Sequence, residues 1–350
     1  MERSAQLTRK KKKRLLLVEF FRVALRRDER SMFFPFLQGL ARERGIESLW
    51  ICYGGDVALQ ADVTTGGRTL LATLPKDDLS SFVRHLERFQ PTHVVTNDIL
   101  NGSAEEIIST RTPVPHRLVM PMLGEVAIAP PRGANLEDFT RCGWFLNWLG
   151  EPDSVASGHY LVERALPDYD AVMANQAASL SESQITIVSG VLCANRRTLV
   201  SNQNFTGLDP SIAAHRGCSF CMCATVPLVA SRSANFLPLI ETQLRRIQKT
   251  AGHARRDKGR YEIFDIRAFL VFDELFEMIL RLKIAPAVFL FNPRIDDILR
   301  ARGRIERMLP AIAKAGHEIR MLSMGVENFS ERENARFNKG LSLAQVDEFL

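Results

Sequence analysis

No stretch of this 350-residue chain is apolar for long enough to span a bilayer, and its N-terminus lacks the apolar core of a secretory signal. The chain is therefore expected in the cytoplasm, with no membrane partner. No phosphate loop or dinucleotide fingerprint surrounds Gly54-Gly55-Asp56 or Gly66-Gly67, which read as turn glycines. No internal repeat appears. A basic surplus is missing from the body: residues 1–14 hold Arg3, Arg9, Lys10, Lys11, Lys12, Lys13 and Arg14 against Glu2, which accounts for the net charge of +6. Those residues read as a disordered basic tail, and nucleic acid is not expected as a partner. Cysteine is scarce, with six in the chain, and Cys52, Cys142 and Cys193 sit singly among apolar neighbours as buried small hydrophobes.

What is present is an alternation of strand and helix signals. Leu15–Glu19 is a continuous apolar run of the kind a strand buried on both faces requires. Helical spacing over Met32–Gly45, a strand over Ile46–Tyr53, a helix over Leu79–Phe89 and a strand ending at Asn97 follow. This succession predicts a doubly wound, Rossmann-like parallel sheet with its ligand edge near Asn97, Asp98 and Gly54. His93 and His116 are placed near strand ends, where they read as ordinary polar histidines or as groups facing a ligand. Further strands are expected at Val119–Leu123 and Asp168–Asn175, then a hairpin from Ile185–Cys193 and Arg197–Ser201 turning through Asn195. A second βα series follows: a helix over Phe236–Ala251, strands at Tyr261–Asp265, Ala287–Phe291 and Ile319–Met324, and helices at Asp273–Leu282 and Asp297–Lys314. Asp265, Asn292, Arg294 and Glu327 would face the C-terminal rim of a partial (β/α) barrel. The fold expected is α/β, with the tail over 1–14, the doubly wound domain and linker over 15–194, and the partial barrel over 195–350. The barrel has room for about four βα units at ~30 residues each, so truncation at the C-terminus is expected.

The densest chemistry lies in His215-Arg216-Gly217-Cys218-Ser219-Phe220-Cys221-Met222-Cys223. Cysteines one or two residues apart rarely reach disulfide geometry, so a soft metal or an iron–sulfur cluster is the natural occupant. Zinc held by His215 and the three cysteines is a rival, although structural zinc sites usually join two separated ligand pairs. A cysteine nucleophile with His215 as base is a further reading, but it lacks an orienting third group. A binding protein that has lost its chemistry would also carry such a loop.

Arg216–Cys223 resembles the cluster loop of the radical S-adenosylmethionine superfamily. Met324-Gly325-Val326-Glu327-Asn328-Phe329-Ser330, with Asn338-Lys339-Gly340-Leu341-Ser342 after it, is similar to a signature of its cobalamin-dependent branch. The cysteine spacing is one residue shorter in each gap than the superfamily's C-x3-C-x2-C. The Asp-x-His-x-x-Gly element that supplies a cobalt ligand in many cobalamin modules is absent. The resemblance implies a cobalamin-binding-type first domain and a radical-type barrel. It implies a [4Fe-4S] cluster on Cys218, Cys221 and Cys223, with S-adenosylmethionine at the open iron and Met222 against its adenine. Glu327, closing the Gly325-Val326-Glu327 element, would approach the ribose or amino group, and Asn292 and Arg294 would meet the carboxylate or the substrate. Taken singly, these residues also have plainer readings: Met222 as a gap-filler, Glu327 as a helix-terminal charge, and Arg294 as half of a surface ion pair with Asp296 or Asp297. The implied activity is generation of a 5′-deoxyadenosyl radical, used with cobalamin to methylate an unactivated carbon, or without it for a rearrangement or oxidation. The implied partners are a small-molecule or peptide substrate and an electron donor such as flavodoxin or ferredoxin.

Overall fold

The computed structural model describes residues 12–21, 33–54, 61–65, 68–75, 78–97, 102–111, 116–120, 122–123, 127–128, 142–159, 164–170, 185–188, 195, 197–207, 209, 217–219, 236–250, 259–264 and 267–350. The architecture is α/β, with two sheets of mostly parallel strands. The chain divides into two compact units, residues 1–25 with 38–121 and residues 26–37 with 122–350.

The first unit is built on a six-stranded sheet. Its strands are β1 (Arg14–Phe21), β2 (Glu47–Gly54), β3 (Ala61–Thr65), β4 (Arg68–Leu74), β5 (His93–Asn97) and β6 (His116–Met120), in the order β3-β4-β2-β1-β5-β6. Only β3 runs antiparallel to its neighbour. The order reverses between β1 and β5, the kind of switch point at which doubly wound sheets open a crevice beyond their strand C-termini. Leu16 and Val18, Leu49, Ile51 and Tyr53, and Val94 alternate onto one buried face. They pack there with Phe82 and Leu86 of α2 (Leu79–Phe89) and Ala104 and Ile108 of α3 (Gly102–Arg111). The alternate residues Leu15, Leu17, Trp50, Cys52 and Val95 are buried too, so both faces are covered and the strands read as continuous apolar runs. The helix α1 (Phe33–Glu43) joins β1 to β2. Asp78 caps α2 by accepting from the Ser81 N–H at 3.0 Å, and these Ser81 hydrogen bonds hold the Asp78 carboxyl below its ordinary range.

In the second unit β7 (Met122–Leu123) and β8 (Ala127–Ile128) form a two-stranded ladder, so the strand expected over Val119–Leu123 is two strands, β6 and β7. The helix α4 (Cys142–Trp148) follows. Asp168–Asp170 is not extended as expected: Asp168 Oδ1 accepts from the Asp170 N–H at 3.2 Å, turning the chain. Residues 171–175 lie outside the described residues. Of the hairpin expected from Ile185–Cys193 and Arg197–Ser201, residues 189–194 and 196 lie outside the described residues, and the second arm is not extended at Leu199–Ser201. Ile185–Val188 is β9, which pairs in parallel with β10 (Gly259–Phe264), while Leu199–Ser201 is a single 3₁₀ turn.

The sheet is completed by β11 (Ala287–Phe291) and β12 (Glu318–Met321), giving a wholly parallel order β12-β11-β10-β9. Between these strands run α5 (Leu237–Thr250), α6 (Phe272–Arg281) and α7 (Ile295–Lys314), and α8 (Glu331–Arg336) and α9 (Leu343–Phe349) follow β12. Tyr261 and Phe289 face the helices, where Phe269, Phe272, Phe276 and Phe291 form a cluster of tilted and edge-on rings. Thr186, Glu262 and Leu290 stand in register on the opposite face of the sheet. Among the described residues no helix is long and apolar enough to cross a membrane.

Candidate functional site

The site is assembled where three distant segments of the second unit meet. The first is the linker at 195–202, the second the start of the cysteine loop at 217–219, and the third the turn at 335–340 between α8 and α9. The third segment is fixed first by its own packing. Met324 and Val326 lie against Ile295, Leu341 and Val346, so the Gly325–Glu327 element and the chain after Gly340 share one small apolar core. Ser342 closes α9 in a capping box with Gln345. Asn338 then adopts φ +53°, a left-handed conformation that asparagine tolerates better than most residues.

Hydrogen bonds join this turn to the cysteine loop. The Ser219 N–H donates to Phe337 O at 2.8 Å, and the Gly217 N–H to Arg197 O at 2.9 Å. Asn338 Nδ2 donates to Gly217 O at 2.7 Å and to Arg197 O at 3.0 Å. Asn195 Nδ2 reaches Asn338 O at 2.9 Å, Lys339 O at 3.3 Å and Cys218 Sγ at 3.6 Å. Cys218, Asn195, Asn338 and Lys339 are all buried.

Of the residues expected at the site, Gly325 and Glu327 are brought to this turn. Gly325 takes φ +56°, and a Cβ built on it would stand 2.8 Å from Lys339 Nζ. Lys339 Nζ donates to Glu327 Oε1 at 2.9 Å, with the Glu327 side chain one-third exposed. Arg294 is tied in from the end of β11: Nη2 donates to Lys339 O at 3.1 Å and Nε pairs with Asp296 Oδ1 at 2.8 Å. The plainer reading of Arg294, an ion pair, is thus realised with Asp296, in a partly buried setting rather than at the surface. Beside it, burial and the neighbouring Asp296 raise Asp297 above the ordinary carboxyl range, against Arg294, Arg300 and Arg267. Asn292 turns to the sheet face, donating from Nδ2 to Glu262 Oε1 at 2.8 Å, while Glu262 Oε2 accepts from Thr186 Oγ1 at 3.2 Å. Cys221, Met222, Cys223, His215 and Asp265 lie outside the described residues.

Five contributors are not marked out by the sequence. Asn195 and Lys339 carry no signal beyond membership of a turn or motif, and Asn338 stands only as part of the Asn-Lys-Gly element. Glu262 and Thr186 are legible in principle, because polar residues alternating with Tyr261 and Ile263 mark a strand face turned away from the helices. His93 and His116 sit at the starts of β5 and β6, at the opposite end from the strand C-termini, with rings stacked at 4.6 Å.

Among the described residues no group of three or more His, Cys, Asp or Glu side chains is arranged to hold a metal ion. At Cys218 the surroundings nonetheless suit a soft-metal ligand: the thiol is withdrawn from water and an amide N–H is directed at its sulfur. The donor chemistry of three closely spaced thiols favours iron–sulfur or zinc binding over harder ions. No protein-family model, curated protein or solved structure matches the chain.

Proposed function

We propose that the chain is a radical S-adenosylmethionine enzyme whose [4Fe-4S] cluster is held by Cys218, Cys221 and Cys223. One observation carries the reading. The cysteine loop is hydrogen-bonded through Gly217 and Ser219 to Phe337 and Asn338, at the start of the Asn-Lys-Gly element matched separately in sequence, and Lys339 of that element donates to Glu327 of the Gly-Val-Glu element. Such contact is expected of two parts of one site and is not required of two chance matches more than 100 residues apart.

Once loaded, the cluster would supply the electron that cleaves the sulfur–carbon bond of S-adenosylmethionine to a 5′-deoxyadenosyl radical, and cobalamin would supply a methyl group for an unactivated carbon. The chain's own residues bind and orient. Glu327, held by Lys339 through Oε1, has its other carboxylate oxygen suited to a ribose hydroxyl or an ammonium group. Arg294, held by Asp296 and Lys339 O, closes the end of β11. Thr186, Glu262 and Asn292 make a polar strip on the sheet face away from the helices, where a small-molecule or peptide substrate would be met. The electron donor would be a flavodoxin or ferredoxin. The switch point between β1 and β5 supports a ligand of the first unit, for which cobalamin is the proposed occupant.

The test is anaerobic reconstitution with iron and sulfide, alongside the Cys218→Ala/Cys221→Ala/Cys223→Ala triple variant. About four irons and four sulfides per chain, absent from the variant, are expected. One zinc and no iron would overturn the reading.

A further inference from the structure

We infer that Asn195 and Asn338 form a clasp that shapes the cysteine loop, and that the Asn195 amide positions and tunes the thiolate of Cys218. The tuning half rests on the cluster reading above; the clasp does not.

Asn338 is used from both ends of its amide. Its Nδ2 spans two carbonyls, Gly217 O in the loop and Arg197 O in the linker, while its Oδ1 accepts from Asn202 Nδ2 at 3.2 Å. Asn202 Nδ2 also donates to Ala335 O at 2.6 Å, which ties the linker to the end of α8. Gly340, at φ +68°, lies against the Arg197 guanidinium: a Cβ there would stand 3.1 Å from Arg197 Nε and Cζ and would need the guanidinium to give way by a few tenths of an ångström. The three segments therefore interlock through side chains as well as backbone.

Asn195 serves a different end. Its two amide hydrogens face three acceptors, the carbonyls of Asn338 and Lys339 and the sulfur of Cys218. The carbonyls fix the direction of the amide, and the sulfur receives the remaining donor character. An aspartate in this place would present an oxygen to three electron-rich atoms, and an alanine would leave buried carbonyls without that partner. An N–H directed at a ligating sulfur draws charge from it and favours the more negative, reduced cluster, so it raises the potential. Asn195 is thus a positioning residue, and its effect is read in the cluster's potential.

The experiment uses the full chain and two variants. Asn338→Gly keeps the left-handed backbone and removes the clasp; Asn195→Ala removes the donor to sulfur. In iron-free protein, amide hydrogen exchange at Gly217 and Ser219 is expected to speed up about tenfold or more in Asn338→Gly. After anaerobic reconstitution, redox titration followed by electron paramagnetic resonance should give Asn195→Ala a more negative midpoint than the parent. Asn338→Gly should keep the parent potential and lose iron faster to a chelator. Unchanged exchange in Asn338→Gly overturns the clasp. An unchanged or more positive midpoint in Asn195→Ala overturns the tuning. Parent protein that takes up no iron overturns the cluster reading and the tuning with it, leaving the clasp to be decided by exchange alone.

Discussion

Replacing Gly325 with alanine tests whether the turn at Lys339 is as tightly built as its distances indicate. The residue sits at φ +56°, and left-handed backbone costs a non-glycine residue about 1–2 kcal/mol. The new Cβ would lie 2.8 Å from Lys339 Nζ and 3.3 Å from Glu327 Oε1. The lysine is the flexible party and must retreat, giving up its 2.9 Å contact with Glu327. Exposed ion pairs are worth about 0.2–1 kcal/mol. With its lysine side chain only 10% exposed, this one belongs at the upper end of that range. Gly325→Ala should therefore cost about 2–3 kcal/mol in urea unfolding followed by far-ultraviolet circular dichroism. In a Lys339→Ala background only the backbone cost should remain, so the double-mutant cycle should show a coupling of about 1 kcal/mol. A cost below about 0.5 kcal/mol, or the same cost in both backgrounds, refutes the reasoning.

Other predictions concern the supporting structure. His93 is held down to about 4 from its ordinary 6.5, chiefly by burial and then by His116 and Lys13. The unfolded chain therefore binds this proton first, and the stability it contributes is complete above pH 6.5 and lost as pH falls toward 4. The loss is bounded at about 3 kcal/mol. His93→Phe should flatten that part of the pH dependence, seen as urea midpoints compared at pH 7 and pH 4.5. Gln243 is a second case: its Oε1 accepts from Tyr169 Oη at 2.9 Å and from the Val188 N–H at 3.1 Å, and its Nε2 donates to Val188 O at 2.6 Å. Gln243→Leu strands three buried groups at about 1–3 kcal/mol each, so a loss of at least about 3 kcal/mol is expected. A near-neutral midpoint in the same unfolding assay would count against β9 being fastened in this way.

The parts of the fold legible in the sequence were those whose local signal matches their final surroundings. Leu15–Val18 and Ala287–Phe291 are continuous apolar runs, and each proved to be a strand buried on both faces. The periodic stretch before Lys314 is helical to that residue. The hairpin of β3 and β4 went unread because its Thr- and Arg-bearing strands lack a clean apolar face, although only two residues, the Gly66-Gly67 pair, separate them. Ile185–Val188 shows the limit of local reading. Its β-branched residues announce a strand, but the partner, β10, begins some 70 residues later, and the nearer Arg197–Ser201 offered itself instead. In the candidate site the cysteines and the Glu327 element were visible by type and order. Asn195 was not, since a lone asparagine gains meaning only from the sulfur and carbonyls that tertiary structure brings to it.

The clasp also dictates an order of events during synthesis. Asn338 lies 121 residues after Gly217, the carbonyl it holds. At roughly 5–20 residues per second, about 6–24 s of translation separate the two, and domains otherwise tend to fold from the N-terminus as they emerge. The first unit and β9 can be complete while the cysteine loop still lacks the residue that closes it. Any loading that depends on the closed loop is thus a late event, in which the newest part of the chain sets the shape of a much older one.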